Sequence, residues 1–272
     1  MELYKRVSYE LAERLTRRYS TSFSMSSRLF APRIRPHIYA VYGMVRLADE
    51  IVDTYRGEDV MAQLDDFETV VYQACNQGYS TNPIIHAFAL TARKYGIERE
   101  LISPFFASMR MDMATVEYDE PTYRRYIYGS AEVVGLMCLK VFVEGDATQY
   151  ERLRTGAAHL GAAYQKVNFL RDLKADYELL GRVYFPGVNY PSFSEASKRA
   201  IEADIAADFA VAKASVRRLP LTARRAVHTS VLYYEALFRW LQKASVADIK
   251  ARRIRVPNGV KLLLFVRGAV GL

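Results

Sequence analysis

The sequence predicts an all-α fold, and three observations support this prediction. Strong helix breakers are scarce, because the 272 residues include only 14 Gly and 9 Pro. Apolar residues recur at helical spacing in one segment after another, with short connectors between them. No segment shows the apolar and polar alternation that is typical of a half-buried strand. With 51% hydrophobic residues, the chain can bury one large core, so we predict a single domain over residues 1–272.

The predicted helices follow from periodicity and from their start and stop residues. The first covers 3–18, and a segment rich in Ser, Thr and aromatic residues follows it at 19–24. Pro36 opens the next helix, in a first turn where proline is tolerated. A loop bounded by glycines lies at 181–187. The helical periods that begin at Pro36 cover about 36–55, 58–77, 82–96, 98–115, 121–143, 148–176, 193–217, 220–244 and 246–252.

The charge balance favours an anionic partner. Lys and Arg number 38 against 30 Asp and Glu, which gives a formal net charge of +8. Nucleic acid, an acidic membrane surface and a phosphorylated substrate all fit such a charge, as does a merely basic, solvated surface. The basic residues are spread along the chain, and no zinc-ligand spacing or RNA-recognition signature occurs. We therefore expect no nucleic acid partner.

Cysteine usage and hydropathy predict a cytoplasmic protein. Cys75 and Cys138 both lie in apolar surroundings, where buried free thiols fit better than a disulfide. Residues 1–6 lack the apolar run of a signal peptide. No segment reaches the roughly 18 to 20 uncharged apolar residues that span a bilayer. The apolar tail at 260–272 is expected to pack back onto the fold, with peripheral membrane contact as the alternative.

The predicted helix at 36–55 carries a pair of carboxylates. Asp49 and Asp53 are four residues apart and so project from one helix face, with Arg46 and Tyr42 on preceding turns of that face. Buried together without a cation, the two carboxylates would repel each other. Carboxylate oxygens at this spacing suit Mg²⁺ when a phosphate completes its coordination shell. Spacing alone is weak support, since a pair at 204 and 208 repeats it where a solvated helix face is expected.

A second polar stripe makes the metal-site hypothesis stronger. It extends over three turns of the helix at 148–176, and Lys166, Arg171 and Lys174 beside it add positive charge suited to a diphosphate. The alternative is a helix surface with ordinary ion pairs, which is less attractive when two such stripes occur in one chain. The stripe consists of Gln165, Asn168, Asp172 and Asp176.

The two Asp-containing segments resemble the paired Asp-rich signatures of squalene and phytoene synthases. The resemblance continues in order along nearly the whole chain. Members of the family usually have Gly where this sequence has Glu132, which puts the local kink in question. The further matching segments are a Ser-rich flap at 19–23, an aromatic run at 39–46, Met-Arg-Met-Asp at 109–112, a Tyr-containing kinked helix at 126–135 and a loop at 181–186.

The resemblance implies the isoprenoid synthase fold, in which helices surround a central apolar cavity, and it implies roles for residues at matching positions. The implied ligands of Mg²⁺, for which Mn²⁺ is a possible substitute, are Asp49, Asp53, Asn168, Asp172 and Asp176. The implied catalytic residues are Arg46, Tyr126 and Arg171. The implied substrate contacts are these three together with Ser20, Ser22, Tyr42, Gln165, Arg182, Tyr184, Tyr234 and Arg253.

The resemblance also implies the chemistry. An allylic diphosphate ionises while Mg²⁺ and Arg or Tyr donors hold the leaving diphosphate. The allylic cation then meets a double bond of a second prenyl chain in a dry, aromatic-lined cavity. The first half-reaction gives a cyclopropylcarbinyl diphosphate. The second rearranges it and ends either by proton loss, which gives phytoene, or by hydride transfer from NADPH, which gives squalene.

We expect a phytoene synthase that condenses two geranylgeranyl diphosphates without NADPH. The segments at 165–176 and 181–186 look closer to bacterial phytoene synthases, and the sequence lacks the C-terminal anchor of eukaryotic squalene synthases. One alternative is a squalene or dehydrosqualene synthase that uses two farnesyl diphosphates. Another is a non-catalytic relative that acts as an assembly factor, in which the metal motifs would be eroded. The sequence predicts no oligomeric state.

Overall fold

The computed structural model describes residues 1–55, 57–114 and 118–270, and these are helical over most of their length. The prediction of an all-α fold is confirmed, since no β-strand occurs in these ranges. A π-helical turn at Tyr128–Glu132 joins the helix Glu120–Ile127 to the helix Val133–Phe142. The helices are α1 Glu2–Tyr19, α2 Thr21–Ser27, α3 Arg35–Asp53, α4 Val60–Gln77, α5 Pro83–Tyr95, α6 Arg99–Ala114, α7 Glu120–Ile127, α8 Val133–Phe142, α9 Ala147–Leu180, α10 Glu195–Val216, α11 Leu221–Lys243, α12 Val246–Ala251 and α13 Asn258–Val270.

Helices α2 and α13 lie where the sequence pattern did not predict helices. α2 is rich in Ser, but its hydroxyls bond locally and so do not disrupt the helix. The Ser20 side chain accepts a hydrogen bond from the Phe23 N–H and caps α2. The Ser26 and Ser27 hydroxyls donate to carbonyl oxygens three residues earlier. The apolar tail forms α13, which packs onto α11 and α2. This agrees with the expectation that the tail packs back onto the fold.

Buried side chains form two large cores. One is built mainly from α3 to α6 and α8, and includes Phe88, Phe105 and Met137. The other is built from α7, α10, α12 and the loop after α9. α9 and α11 contribute to both cores, and Leu160 and Tyr164 of α9 contact each of them. α9 therefore connects the two hydrophobic cores.

The end of α9 directs the following loop back toward the helix. Gly181 adopts a left-handed conformation with φ of 67°, which favours glycine. The Arg182 N–H then donates to the Asp176 carbonyl at 3.0 Å. This turn places Arg182 and Tyr184 beside the helix face that carries Asp176.

Small residues bring the π-helical turn close to its neighbours. A Cβ on Gly129 would lie 2.3 Å from the Pro104 carbonyl oxygen, and one on Gly135 would lie 2.8 Å from that of Ala157. A π-helical turn therefore forms with Glu132 at the position where the resemblance implies Gly. Glu132 is partly buried, and its charge interacts with those of His159 and Lys166 rather than with the cavity described below.

Replacing Gly161 with Ala should destabilise the protein by about 1 to 3 kcal/mol. A Cβ at Gly161 would lie 2.5 Å from the Ala131 carbonyl oxygen and 3.2 Å from the Glu132 Cα, so backbone would have to move. Urea unfolding measures the change. Gly259→Ala is the matched control, because its Cβ would have no atom within 4 Å. A Gly161→Ala protein as stable as the control would contradict the close packing of α9 on the π-helical turn.

No helix within residues 1–55, 57–114 and 118–270 has both the length and the apolar character needed to cross a bilayer.

Candidate active site

A cavity of about 440 Å³ lies between α2, α3, α8, α9, α11 and α13. α9 lines it from Leu153 to Arg171, a separation of 18 residues that corresponds to about 27 Å of helix. The α9 residues at the Leu153 end are apolar or small, whereas Gln165, Asn168 and Arg171 at the other end are polar. The cavity is therefore a long apolar chamber with a polar end.

Several residues predicted as substrate contacts lie together at this polar end. The Tyr234 ring stacks on Tyr164 with centroids 3.8 Å apart, and its hydroxyl donates to the Asn168 Oδ1 at 3.4 Å. Tyr42 stacks on Phe23 at 5.3 Å, and burial raises the pKa of Tyr42 to about 12. The predicted residues that line the cavity are Ser20, Ser22, Tyr42, Gln165, Asn168, Arg171 and Tyr234.

The carboxylates of α3 and α9 influence each other across the site. Burial, and then the charge of Asp53, raises the pKa of Asp49 to about 7. Burial, and then the charges of Asp172 and Asp53, raises the pKa of Asp176 to about 7. Asp53 thus acts on a carboxyl of its own helix and on one of α9. The two Asp-bearing faces predicted from the sequence therefore face each other.

Asp172 is bound by two arginines. The Arg171 Nε donates to Asp172 Oδ1 at 3.0 Å, and the Arg253 Nε lies 2.6 Å from the same oxygen. The Arg253 Nη2 also donates to Asp172 Oδ2 at 3.1 Å. Arg253, predicted as a substrate contact, therefore lies at the second Asp-bearing face, where an arriving diphosphate would compete for it.

Two of the three predicted catalytic residues do not line the cavity. Arg46 forms an ion pair with Glu50 one turn later on α3, and its guanidinium lies 4.5 Å from the centroid of the Tyr19 ring. Tyr126 is buried, and its hydroxyl donates to the Asp112 Oδ2 at 2.8 Å. Only Arg171 among the three is in contact with the cavity.

Asp112 connects these outer residues and was not among the predicted site residues. It is buried and accepts hydrogen bonds from Tyr126 and, at 3.0 Å, from the Tyr184 hydroxyl. The Arg182 Nη1 lies 3.5 Å from Asp112 and 3.9 Å from Asp53. Burial raises the pKa of Asp112 to about 6, although Arg182 and the two tyrosines oppose this. Arg182 therefore links Asp112 to Asp53 on the Asp-bearing face of α3.

The sequence contained a signal for Asp112. The residue lies in the Met-Arg-Met-Asp segment, between Met111 and Met113, on a helix whose apolar residues include Phe105 and Phe106. An acid in such a position is rarely buried without a partner. The resemblance includes this motif but implies no role for its carboxylate.

Two interpretations of charged residues were wrong. Lys166 does not serve the diphosphate end, because its Nζ lies 2.6 Å from Asp204 and 2.8 Å from Asp208 on α10. Asp208 is buried and also contacts the His159 Nδ1 at 2.7 Å, so only Asp204 lies on a solvated face. Helical phase explains the first error, since position 166 points about 100° away from position 165. Lys174, which was also expected to add positive charge beside the stripe, donates a hydrogen bond to the Ala251 carbonyl oxygen.

The donor set fits a hard divalent cation. Carboxylate and amide oxygens are the ligands that Mg²⁺ prefers, and the chain offers Asp49 and Asp53 on α3 opposite Asn168, Asp172 and Asp176 on α9. Burial, and after it the neighbouring carboxylates, raises the pKa of Asp49 and of Asp176, so a bound cation would relieve the repulsion among these carboxylates. In the part of the chain that the structure describes, no three His, Cys, Asp or Glu side chains already form a metal-binding cluster.

The stability of the metal-free protein should depend on these carboxyls. Because Asp49 and Asp176 hold protons in the folded state that the unfolded chain releases, their contribution to the free energy of unfolding falls as the pH rises from 3.8 toward about 7. Mg²⁺ binds only the ionised carboxylates, so it should stabilise the protein more at about pH 8 than at about pH 6. Urea unfolding with and without Mg²⁺ at each pH measures this difference.

Asp49→Asn combined with Asp176→Asn is the control for this effect. The double variant should lose most of the stabilisation by Mg²⁺ at both pH values, because it lacks both titrating groups. Equal stabilisation of the wild-type protein at the two pH values would contradict the link between metal binding and these two carboxyls.

An all-α fold with two Asp-bearing helices, both of which also line an apolar cavity with a polar end, is typical of an isoprenoid-synthase-like protein. The family model for squalene/phytoene synthase matches residues 16–189. The chain belongs to the squalene/phytoene synthase family, whose members are prenyltransferases that act on prenyl diphosphates.

Curated relatives include synthases with different products. A 4,4'-diapophytoene synthase of Staphylococcus haemolyticus is 24% identical over 74% of this chain and 70% of its own length. A phytoene synthase of Mycobacterium tuberculosis is 26% identical over 66% of this chain, and the match spans 57% of that protein. A 15-cis-phytoene synthase of Synechocystis sp. is 26% identical over 94% of this chain and 82% of that protein.

Solved structures show the same fold. A dehydrosqualene synthase in complex with a ligand has a TM-score of 0.84 at 19% identity, covering 98% of this chain and 97% of that one. A squalene synthase from Alicyclobacillus acidocaldarius has a TM-score of 0.78 at 24% identity, covering 89% of this chain and 95% of that one. Both predictions, of the family and of the isoprenoid synthase fold, are therefore confirmed.

Proposed function

We propose that the protein condenses two molecules of geranylgeranyl diphosphate head to head, through a cyclopropylcarbinyl diphosphate, to give phytoene. The observation that carries this proposal is the long apolar cavity that ends at Asn168 and Arg171, between two Asp-bearing helices. A prenyl diphosphate has the same division into an apolar chain and an anionic head. The family membership supports the reaction class.

The polar end is suited to binding a diphosphate. Arg171 supplies guanidinium donors, while Gln165, Ser20 and Ser22 supply amide and hydroxyl donors around the same space. Mg²⁺, held by Asp49 and Asp53 together with the donors of α9, would neutralise the diphosphate and so favour its departure. Donors fixed before the reaction begins stabilise developing charge without further reorganisation.

The apolar end is suited to protecting a carbocation from water. Phe30 stacks on Phe142 with centroids 5.2 Å apart, and both rings line the cavity. Aromatic faces nearer the polar end, at Tyr42, Tyr164 and Tyr234, can stabilise positive charge. Exclusion of water favours attack by a double bond of the second chain over hydrolysis.

The relatives support the choice of substrate. Several of them are phytoene synthases, among them the Synechocystis protein that matches most of this chain. In this proposal the reaction ends by proton loss and needs no NADPH. The second candidate is a condensation of two farnesyl diphosphates, which the 24% identical 4,4'-diapophytoene synthase favours.

The test is incubation of the purified protein with Mg²⁺ and either geranylgeranyl or farnesyl diphosphate, without NADPH, followed by mass analysis of the lipid extract. The expected result is a forty-carbon hydrocarbon with a central conjugated triene, formed from geranylgeranyl diphosphate. A thirty-carbon triene from farnesyl diphosphate alone would retain the reaction class and move the substrate to the second candidate. Absence of product from both substrates, with and without NADPH, would overturn the proposal.

A further inference from the structure

Helix α13 is apolar on two sides. Leu264 is buried against the protein, and Phe265 lines the cavity. The other side faces solvent and exposes four large aliphatic side chains by about half or more of their surface. These are Leu262 (59%), Leu263 (60%), Val266 (49%) and Val270 (61%).

α13 forms one wall of the cavity and runs antiparallel to α11. Lys261 lies near the Tyr233 ring, whereas Gly268, later in α13, contacts Thr229, earlier in α11. A Cβ on Gly268 would lie 1.9 Å from the Thr229 Oγ1, so the helices approach closely there. Since Phe265 faces the cavity while Leu262 faces solvent, a single helix separates the two at this wall.

The chain segment that carries this apolar surface has positive charges only. Residues 249–270 contain six basic residues and no acidic residue. Arg253 is engaged with Asp172, and Lys250 donates to the Pro191 carbonyl oxygen. Arg252, Arg255 and Arg267 are exposed. An exposed apolar surface next to cations is complementary to an anionic lipid surface.

We propose that the solvent-facing side of α13, formed by Leu262, Leu263, Val266 and Val270, docks on an anionic lipid bilayer. The aliphatic side chains enter the interface between headgroups and acyl chains, while Arg252, Arg255 and Arg267 contact lipid phosphates. A second copy of this chain fits the surface less well. A two-fold contact would place the same cations opposite each other without acidic partners from this segment.

Docking would place the cavity wall against the bilayer. Phe265 and Leu264 would then lie about one helix diameter from the lipid, roughly 10 Å. A prenyl chain dissolved in the bilayer would then lie within about this distance of the cavity. This delivery role rests on the proposed function, whereas the docking itself does not.

Vesicle flotation without any prenyl substrate tests the docking. The full chain is mixed with vesicles of phosphatidylcholine alone or of phosphatidylcholine with phosphatidylglycerol, and strong binding is expected only to the anionic vesicles. Leu262→Glu combined with Leu263→Glu should lower the partition coefficient at least tenfold, since about two leucine side chains lose their apolar environment. Arg252→Gln combined with Arg255→Gln should lower binding by about fivefold for each charge removed.

The matched control is Leu179→Glu combined with Val211→Glu, two exposed aliphatic positions outside α13. This variant should float like the wild-type protein. The inference is overturned if the wild-type protein does not float with anionic vesicles, or if the α13 and control variants float equally. It is also overturned if size-exclusion chromatography shows a wild-type dimer and an α13 variant monomer, since the surface would then join two copies.

Turnover separates this inference from the proposed function. In detergent micelles the Leu262→Glu, Leu263→Glu variant should form product at the wild-type rate, because neither residue lines the cavity. On anionic vesicles that contain the substrate its rate should fall with its binding. Wild-type protein that floats but forms no product would refute the function and leave docking supported. Equal rates of variant and wild type on vesicles would refute delivery through docking.

Discussion

Asp53→Asn should lower product formation at least about a hundredfold and leave the helical circular-dichroism spectrum unchanged. The Asp53 side chain is 47% exposed, so its replacement removes little packing. Its charge nevertheless affects Asp49 and Asp176 on the two opposed helices and lies 3.9 Å from Arg182. Loss of this charge weakens metal and diphosphate binding far more than folding. Product analysis at saturating Mg²⁺ and a thermal melt measure the two effects.

Two further variants define the specificity of this result. Asp172→Asn should cause a comparable loss, because Asp172 is the carboxylate between Arg171 and Arg253. Asp204→Asn makes the same chemical change at an exposed residue of α10 outside the site, and it should retain near wild-type activity. Equal losses at all three positions would refute the assignment of the metal-binding carboxylates.

Asp112→Asn should lower both stability and activity. Each carboxylate oxygen accepts a hydrogen bond from a buried tyrosine, and an amide replaces one acceptor with a donor. An unsatisfied buried hydroxyl costs about 1 to 3 kcal/mol, which urea unfolding can detect. Arg182 would also lose its nearer anionic partner, at 3.5 Å, and we expect kcat to fall by at least about tenfold, a little over 1 kcal/mol.

Tyr126→Phe separates the positioning role of Asp112 from its effect on stability. The hydrogen bond from Tyr126 lowers the pKa of Asp112, so its removal should raise that pKa and move the acid limb of the pH–rate profile to higher pH. A structural role alone would lower stability without this shift. An unchanged pH profile in a variant that folds would contradict the role of Asp112 in positioning Arg182.

The candidate site could be predicted from the sequence only to the extent that helical geometry decides which residues share a face. Asp49 and Asp53 follow from a spacing of four, and the stripe from Gln165 to Asp176 follows from spacings of three and four. Gln165 and Asn168 of this stripe line the polar end of the cavity, whereas Asp49, Asp53, Asp172 and Asp176 lie outside its lining. The fold class was predictable for the same reason, since long amphipathic periods with few breakers leave little choice other than helices.

The remaining features depend on tertiary contacts that periodicity does not contain. The pairing of Lys166 with Asp208 requires α10 to pack on α9, and the sequence offers no rule for that choice. The role of Asp112 requires Tyr126 and Tyr184 to converge from different elements. Helix α2 depends on local hydrogen bonds of its Ser side chains, which the apolar periodicity does not reveal. Helix α13 is stabilised by its contact with α11 at Gly268 and Thr229.

Because Asp172 is paired with two arginines, a cation could bind Asp172 only by replacing these arginines. Asp172 is paired with Arg171 and Arg253, so these arginines and this carboxylate already have partners. A cation that bound Asp172 would release two guanidinium groups, which a diphosphate could then bind. Each ligand would therefore remove the competitor of the other, and thermodynamic linkage would require the two affinities to rise by the same factor. Such a protein would bind either ligand weakly alone and would respond to their joint concentration.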